Sequence, residues 1–191
     1  MDSAGNSTSL MRTVMVVDNT APVITVEGGD MVQHEACTPF EGSGATATDS
    51  CEGDVAVTAD CSNVDPDTPG TYECVYTAAD SQGNTARFTQ TVVVADTTAP
   101  QITLLGDALF IHVVGTAFND PGAVAEDNCG EVDLVADCTA VDLNMTGNYT
   151  CIYTATDEAG NESTAMRNIV VVGLTATPDE LNFDLVGLGS T

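Results

Sequence analysis

Apolar and polar residues alternate along this chain in short runs, and Gly, Pro, Asn and Asp divide one run from the next. In the first half such runs predict strands near 22–27, 30–35, 45–48, 55–60, 72–79 and 86–95, with a further short segment near 62–67. Side chains alternate across a strand. In TYECVYTA, Tyr72, Cys74 and Tyr76 therefore share one face, and Tyr149, Cys151 and Tyr153 do so in NYTCIYTA. That face is the expected core. No window holds a sustained 3.6-residue apolar period, so the pattern predicts an all-β fold.

The pattern occurs twice. Asp18-Asn19-Thr20-Ala21-Pro22 returns as Asp96-Thr97-Thr98-Ala99-Pro100, ATATDSC as AVAEDNC, and GTYECVYTAAD as GNYTCIYTATD. The period is about 78 residues, with one residue lost between Cys129 and Cys138. Such self-similarity predicts a tandem array of one supersecondary unit. The expected units are 19–95 and 96–172, each a β-sandwich of about seven strands. The DNTAP and DTTAP segments are the joints, where proline opens an edge strand and stiffens the connection. Two pieces lie outside the units. Residues 1–18 match only the last strand of a unit, since DSAGNSTSLMRTVMVV parallels DEAGNESTAMRNIVVV. Residues 173–191 match neither repeat and read as the opening strands of a further sandwich or a linking tail.

Composition narrows the function. Thr and Val abound, as strands require. The formal charge is −26, with three basic residues against 29 acidic ones. Phosphate binding needs clustered Lys and Arg, so nucleic acid is excluded as an expected partner, and so is an anionic membrane surface. The acid excess serves solubility, or divalent-cation binding, or life in saline water. No apolar run reaches the ~18 residues that cross a bilayer. No leader opens the chain, so one has been removed or the sequence is a window on a longer protein. Seven cysteines point to an oxidising, extracellular compartment.

Three motifs resemble the bacterial immunoglobulin-like repeats of long surface proteins, including the hyalin-repeat type. They are D-x-T-A-P at the joint, G-x-x-F-x-x-x-G-A-x-A-x-D after the second strand, and G-x-Y-x-C-x-Y-x-A-x-D-x-x-G-N near the end. The resemblance covers about 150 of the 191 residues. It implies an extracellular stalk, adhesin or matrix protein, and no catalysis.

Cys61 with Cys74 and Cys138 with Cys151 share a 13-residue separation around a glycine turn, which makes each pair a candidate disulfide. Cys37 occurs only in the first unit, where the second has Gly115, and Cys51 is its expected partner. Cys129 is then left over, either as a buried thiol or as an intermolecular cross-link. Zinc lacks its usual C-x2-C spacing.

The recurrent acids are Asp18 and Asp96 at the joints, Asp49 and Asp127 before a cysteine, and Asp80 and Asp157 before a Gly-Asn turn. They read either as turn formers or as oxygen ligands for calcium, the one cofactor that the sequence suggests. Asn6, Asn144, Asn148 and Asn161 open N-x-S/T sequons. No hydrolase, zincin, P-loop or dinucleotide motif is present, Trp is absent, and the expectation is a protein that is not an enzyme.

The orphan strand shapes the functional expectation. Leu10, Val14 and Val16 fall on one face, and Met11 and Met15 on the other. An unpaired strand with apolar faces invites pairing with another chain. The leading expectation is an extracellular filament whose copies join head-to-tail by donating this strand. The alternatives are a segment of one long adhesin, flanked by domains of the same chain, and a carbohydrate- or protein-binding module.

Overall fold

The structure, a computed structural model, describes residues 3–174, and every regular element among them is a β-strand. The expected tail at 175–191 lies outside the described residues. The first repeat forms β1 (Val23–Val26), β2 (Met31–Glu35), β3 (Ala45–Asp49), β4 (Gly53–Val55), β5 (Val57–Asp60), β6 (Gly70–Ala79) and β7 (Thr85–Ala95). The second forms β8 (Gln101–Leu104), β9 (Leu109–Val113), β10 (Ala123–Glu126), β11 (Val132–Asp137), β12 (Gly147–Asp157) and β13 (Glu162–Val172). In the first repeat a three-stranded sheet β1-β3-β4 accompanies a four-stranded sheet β2-β7-β6-β5. In the second a pair β10-β8 accompanies β11-β12-β13-β9. All pairings in the second repeat are antiparallel except β9, which runs parallel to β13 with Phe110 opposite Ile169.

Two expected strands are absent. Around 62–67 the chain turns instead: Asp60 accepts hydrogen bonds from the amide and hydroxyl of Ser62, and Val64 N donates to Cys61 O. Such local side-chain acceptors compete with a sheet ladder. Residues 6–22 also belong to no strand, so the strand expected within 2–17 does not form by itself. A lone strand has no ladder to satisfy its backbone.

The chain divides into two compact units. The first comprises Met1–Gln33, Phe40–Asp65 and Thr71–Val93. The second comprises His34–Pro39, Pro66–Gly70 and the chain from Val94 on. Two short segments of the first repeat thus belong to the second unit.

The alternation in β12 and β13 builds the second core. Cys151, Tyr153, Ile169 and Val171 are fully buried, and Ile102, Leu104 and Ala123 of the facing pair pack on them. Each such aliphatic side chain is worth about 1.5–3 kcal/mol of burial. One inward position on the last strand is polar in both repeats. Gln90 in β7 and Arg167 in β13 are both fully buried. Gln90 Nε2 donates to Glu27 O and Gly29 O at 2.9 and 2.8 Å. Arg167 Nη2 donates to Leu105 O and Gly122 O, each at 2.8 Å, and Nη1 to Asp107 O. Arg167 also pairs with Asp120 at 2.9 Å. Both side chains satisfy the carbonyls of the turn after the repeat's first strand, which would otherwise be dry.

Candidate functional site

The recurrent acids gather at one set of turns in each unit. Asp80 accepts the amides of Gln82 and Asn84 at 3.0 and 2.8 Å, and its second oxygen accepts Asn84 Nδ2 at 2.6 Å. The same Nδ2 reaches back to Asp18 O at 3.3 Å. Asp157 and Asn161 repeat the arrangement, with Asn161 Nδ2 donating to Asp96 O at 3.3 Å. Burial opposes the charge of Asp80 and Asp157, but these hydrogen bonds outweigh it and hold both carboxyls below the usual range. Asp49 and Asp127 accept the amides of Cys51 and Cys129 at 2.7 and 2.8 Å.

Beyond this turn chemistry the carboxylates converge. One oxygen from each of Asp96, Asp127 and Asp157 lies within 4.8 Å of the others, and the same holds for Asp18, Asp49 and the Cys51 sulfur. Asp18 Oδ2, Asp49 Oδ2 and Asp127 Oδ1 are buried without a hydrogen-bond partner. Burial, and then the charges of Asp127, Asp157 and Glu35, raise the Asp96 carboxyl above its usual value. Hard oxygens crowded in this way suit a hard cation such as calcium. The cluster of Asp120, Cys138 and Cys151 does not, because its two sulfurs are bonded to each other.

Disulfides join Cys61 to Cys74 and Cys138 to Cys151, each with Cα atoms 4.3 Å apart. The expected Cys37–Cys51 bridge is not formed. Cys37 is bonded to Cys129, with Cα atoms 5.4 Å apart, and Cys51 is an exposed free thiol. The correction has a local cause within the second unit. Ala36 N donates to Ala95 O and Cys37 N to Pro66 O, while Asn128 Nδ2 donates to Ala36 O. These bonds bring the turn after β2 to Cys129. Glu35, two residues earlier, accepts the amides and hydroxyls of Thr97 and Thr98. The Thr97 hydroxyl above all holds its carboxyl down at about 2.

Among the sequons, Asn6, Asn144 and Asn148 are exposed. Asn161 corrects the expectation: its Nδ2, the atom that carries a glycan, donates to Asp96 O, Thr98 O and Asp157 Oδ2. A sugar there would take one of the two N–H donors that serve these three acceptors.

The N-terminal segment presents its apolar side chains to solvent. Leu10 is 98% exposed, Met11 95%, Met15 84% and Val16 92%, with Val14 at 64%. Alignment of this segment with β13 places Arg12 at Arg167, and Val14 and Val16 at the fully buried Ile169 and Val171. Glu35, Gln90, Asp120 and Arg167 are not among the residues expected from the sequence. The signal for Gln90 and Arg167 was a polar residue at an inward position just before an apolar run, and Arg12 carries it too.

The immunoglobulin-like domain of bacterial surface proteins matches the chain twice, over residues 24–94 and 102–171. The chain is 29% identical over 199 aligned residues to hyalin of Strongylocentrotus purpuratus, covering 95% of this chain and 16% of hyalin. It therefore spans about a sixth of that relative. Solved structures with similar chains include the fibronectin(III)-like modules of Clostridium thermocellum CbhA, at 16% identity and a TM-score of 0.34. That match covers 79% of this chain and 95% of the other. Another is the lipoprotein BT2262 of Bacteroides thetaiotaomicron, at 23% identity, 72% and 61% coverage and a TM-score of 0.32. The protein is extracellular, at the cell surface, and made of tandem immunoglobulin-like domains. Two matches that together cover most of the described residues place it by family: the chain belongs to the immunoglobulin-like domain family of bacterial surface proteins.

Proposed function

We propose that this protein is a structural segment of an extracellular filament or stalk, in which residues 6–17 complete another sandwich as its last strand. The observation that carries the reading is the N-terminal segment. It repeats the sequence of β13, yet Leu10, Val14 and Val16 meet solvent where their counterparts form a core. Arg12 stands where Arg167 is buried and bonded. Pairing with an open sandwich would bury Leu10, Val14, Val16 and the Arg12 guanidinium, and leave Met11 and Met15 on the outer face. A head-to-tail contact of this kind does not close on itself and so builds a fibre. The recipient is a neighbouring copy or a flanking domain of one longer polypeptide. The role is mechanical rather than catalytic, a reading supported by the engagement of the recurrent carboxylates in turns.

Calcium belongs to the same proposal. Asp96, Asp127 and Asp157 would supply its ligands in the second unit, and Asp18 and Asp49 in the first. The unpartnered buried oxygens of Asp18, Asp49 and Asp127 support this fit.

Negative-stain microscopy of native material, with denaturing gels run with and without reductant, tests the reading. The expected result is long fibres in which residues 6–17 resist proteolysis, although the isolated 191-residue chain is cut there. Fibres that fall to a band of about 20 kDa, the 19.6 kDa of this chain, mean strand-linked copies. A band of hundreds of kDa that survives reduction means one continuous stalk. Native material with no extended particles, or with residues 6–17 cut as fast as in the isolated chain, overturns the proposal.

A further inference from the structure

The second unit contains more than its own repeat. It includes His34–Pro39 and Pro66–Gly70, which the chain contributes from the preceding repeat. A groove of about 480 Å³ in that unit is lined in part by Cys37, Asp67 and Pro69 from these segments. The rest of the lining is Ala95, Asp96, Cys129, Gly130, Glu158 and Ala159.

A groove of the first unit has the counterpart of the second of these sets without the first. It measures about 490 Å³ and is lined, besides Val16, by Val17, Asp18, Cys51, Glu52, Ser81 and Gln82. These six residues stand at the positions of the six just named, in the same order. The backbone frame is also the same. Asp49 holds the Cys51 amide as Asp127 holds that of Cys129. Asn84 clamps Asp18 O as Asn161 clamps Asp96 O. Asp18 accepts the Thr20 amide as Asp96 accepts that of Thr98. Cys51 is thus presented as Cys129 is, and only Cys129 has met a partner.

No cysteine of this sequence fits the vacancy. Cys37 is bonded, and the second repeat carries Gly115 at the matching place and Val113 where the first has Glu35. The turn requires a left-handed residue: φ is 58° at Cys37 and 81° at Gly115. Glycine adopts that conformation freely, while another residue is disfavoured there by about 1–2 kcal/mol. A cysteine at this position is therefore explained by its bond rather than by the turn.

We propose that Cys51 forms a disulfide with a further immunoglobulin-like repeat, outside these 191 residues, which carries a cysteine at the position of Cys37 and a glutamate two residues before it. The glutamate would accept the backbone amides at Asn19 and Thr20, as Glu35 does at Thr97 and Thr98. The inference rests on the reading of tandem sandwiches in a filament or stalk, and identifies the repeat that receives residues 6–17. Closing the bond takes two protons and two electrons from the two thiols. A small-molecule or protein disulfide in the oxidising medium accepts them and leaves as two thiols.

The test is disulfide mapping of the protein isolated from its own source without reductant. Free thiols are blocked with maleimide, the chain is digested at acidic residues, and linked peptides are sequenced by mass spectrometry. The expected result is a Cys51 peptide that escapes maleimide until it is reduced, linked to a Glu-x-Cys peptide foreign to this sequence. Maleimide on Cys51 in unreduced material, or a bond from Cys51 to another Cys51 or to Cys37, overturns it. Long fibres with a protected N-terminal segment and a free Cys51 would sink this inference alone and leave the filament reading standing.

Discussion

Replacing Arg167 by methionine keeps a long apolar stem in β13 but removes its charge and donors. Asp120, whose side chain is 20% exposed, loses its ion-pair partner at 2.9 Å. The carbonyls of Leu105 and Asp107 lose the Arg167 donor inside the sandwich, and that of Gly122 keeps only the Leu105 amide. Breaking one side of a buried pair costs roughly 3–5 kcal/mol. A dry carbonyl costs about 1–3 kcal/mol, and these terms overlap rather than add. Partial exposure of Asp120 puts the expected loss for Arg167→Met near the bottom of that range, about 3 kcal/mol. The first repeat offers a control, because Gln90 bonds two of the matching carbonyls and Gly42 stands where Asp120 does. Arg167→Gln leaves Asp120 without its ion-pair partner, though still bonded to the Tyr153 hydroxyl, and is expected to lose about 2 kcal/mol. Adding Asp120→Gly reproduces the first repeat and is expected to recover about 1 kcal/mol of that. The assay is a urea titration read by hydrogen exchange, with peptides of β12 and β13 reporting the effect and peptides of β6 and β7 serving as the internal reference. With a slope of about 1–2 kcal/mol per molar urea, a 3 kcal/mol loss moves the midpoint by roughly 2 M. A loss below about 1 kcal/mol for Arg167→Met, or a double variant no better than Arg167→Gln, would refute the argument that turn carbonyls and Asp120 keep the arginine inside.

Calcium at about 10 mM, above the ~1 mM scale of extracellular sites, should raise the melting temperature of the second unit relative to chelator. Asp127→Asn should abolish most of that rise, and equal melting with and without calcium excludes the site. Acid should weaken the fold through Glu35. Its carboxyl is lowered from 4.5 to about 2, so its contribution is complete above pH 4.5 and is lost as pH falls toward 2. Melting curves from pH 5 to 2 should be shallower for Glu35→Gln, and identical slopes would show that the Thr97 and Thr98 bonds do not matter. Paired Cys138→Ala and Cys151→Ala should cost about 2–4 kcal/mol, the scale for closing a loop of this length. Calorimetry should show that loss in the second unit, and an unchanged transition would refute it.

Most strands and their inward faces were legible because each rests on local alternation that the sheet then uses, but the run expected near 55–60 is divided between β4 and β5, which lie in different sheets. The strand near 62–67 was not, because the Asp60–Ser62 bonds form a turn that alternation cannot register. The strand within 2–17 shows the opposite case. Its pattern is that of β13, but strand formation is a property of a pair, and no strand forms over residues 6–17. The acidic turns were legible as turns from Asp, Gly and Asn at fixed spacing. Their convergence was not, since Asp96, Asp127 and Asp157 are brought together only by separate strands.

The cysteines show how a repeat can mislead and also correct. Counting within one repeat paired Cys37 with Cys51, because loop closure favours near partners. The alignment held a second constraint: Cys51 and Cys129 occupy one position, so any partner of one is a candidate for the other. Proximity in sequence carries little weight against a preformed surface, since each doubling of loop length adds only about 0.6 kcal/mol of closure entropy. From 14 to 92 residues is fewer than three doublings, or less than about 2 kcal/mol. The anchoring hydrogen bonds of Ala36, Cys37 and Asn128, with the four that Glu35 accepts, are enough to exceed it. The same arithmetic leaves Cys51 dependent on a surface rather than on a neighbour in sequence. A repeat supplying that surface needs only to present Glu-x-Cys at the end of its second strand, whether it belongs to the same polypeptide or to another.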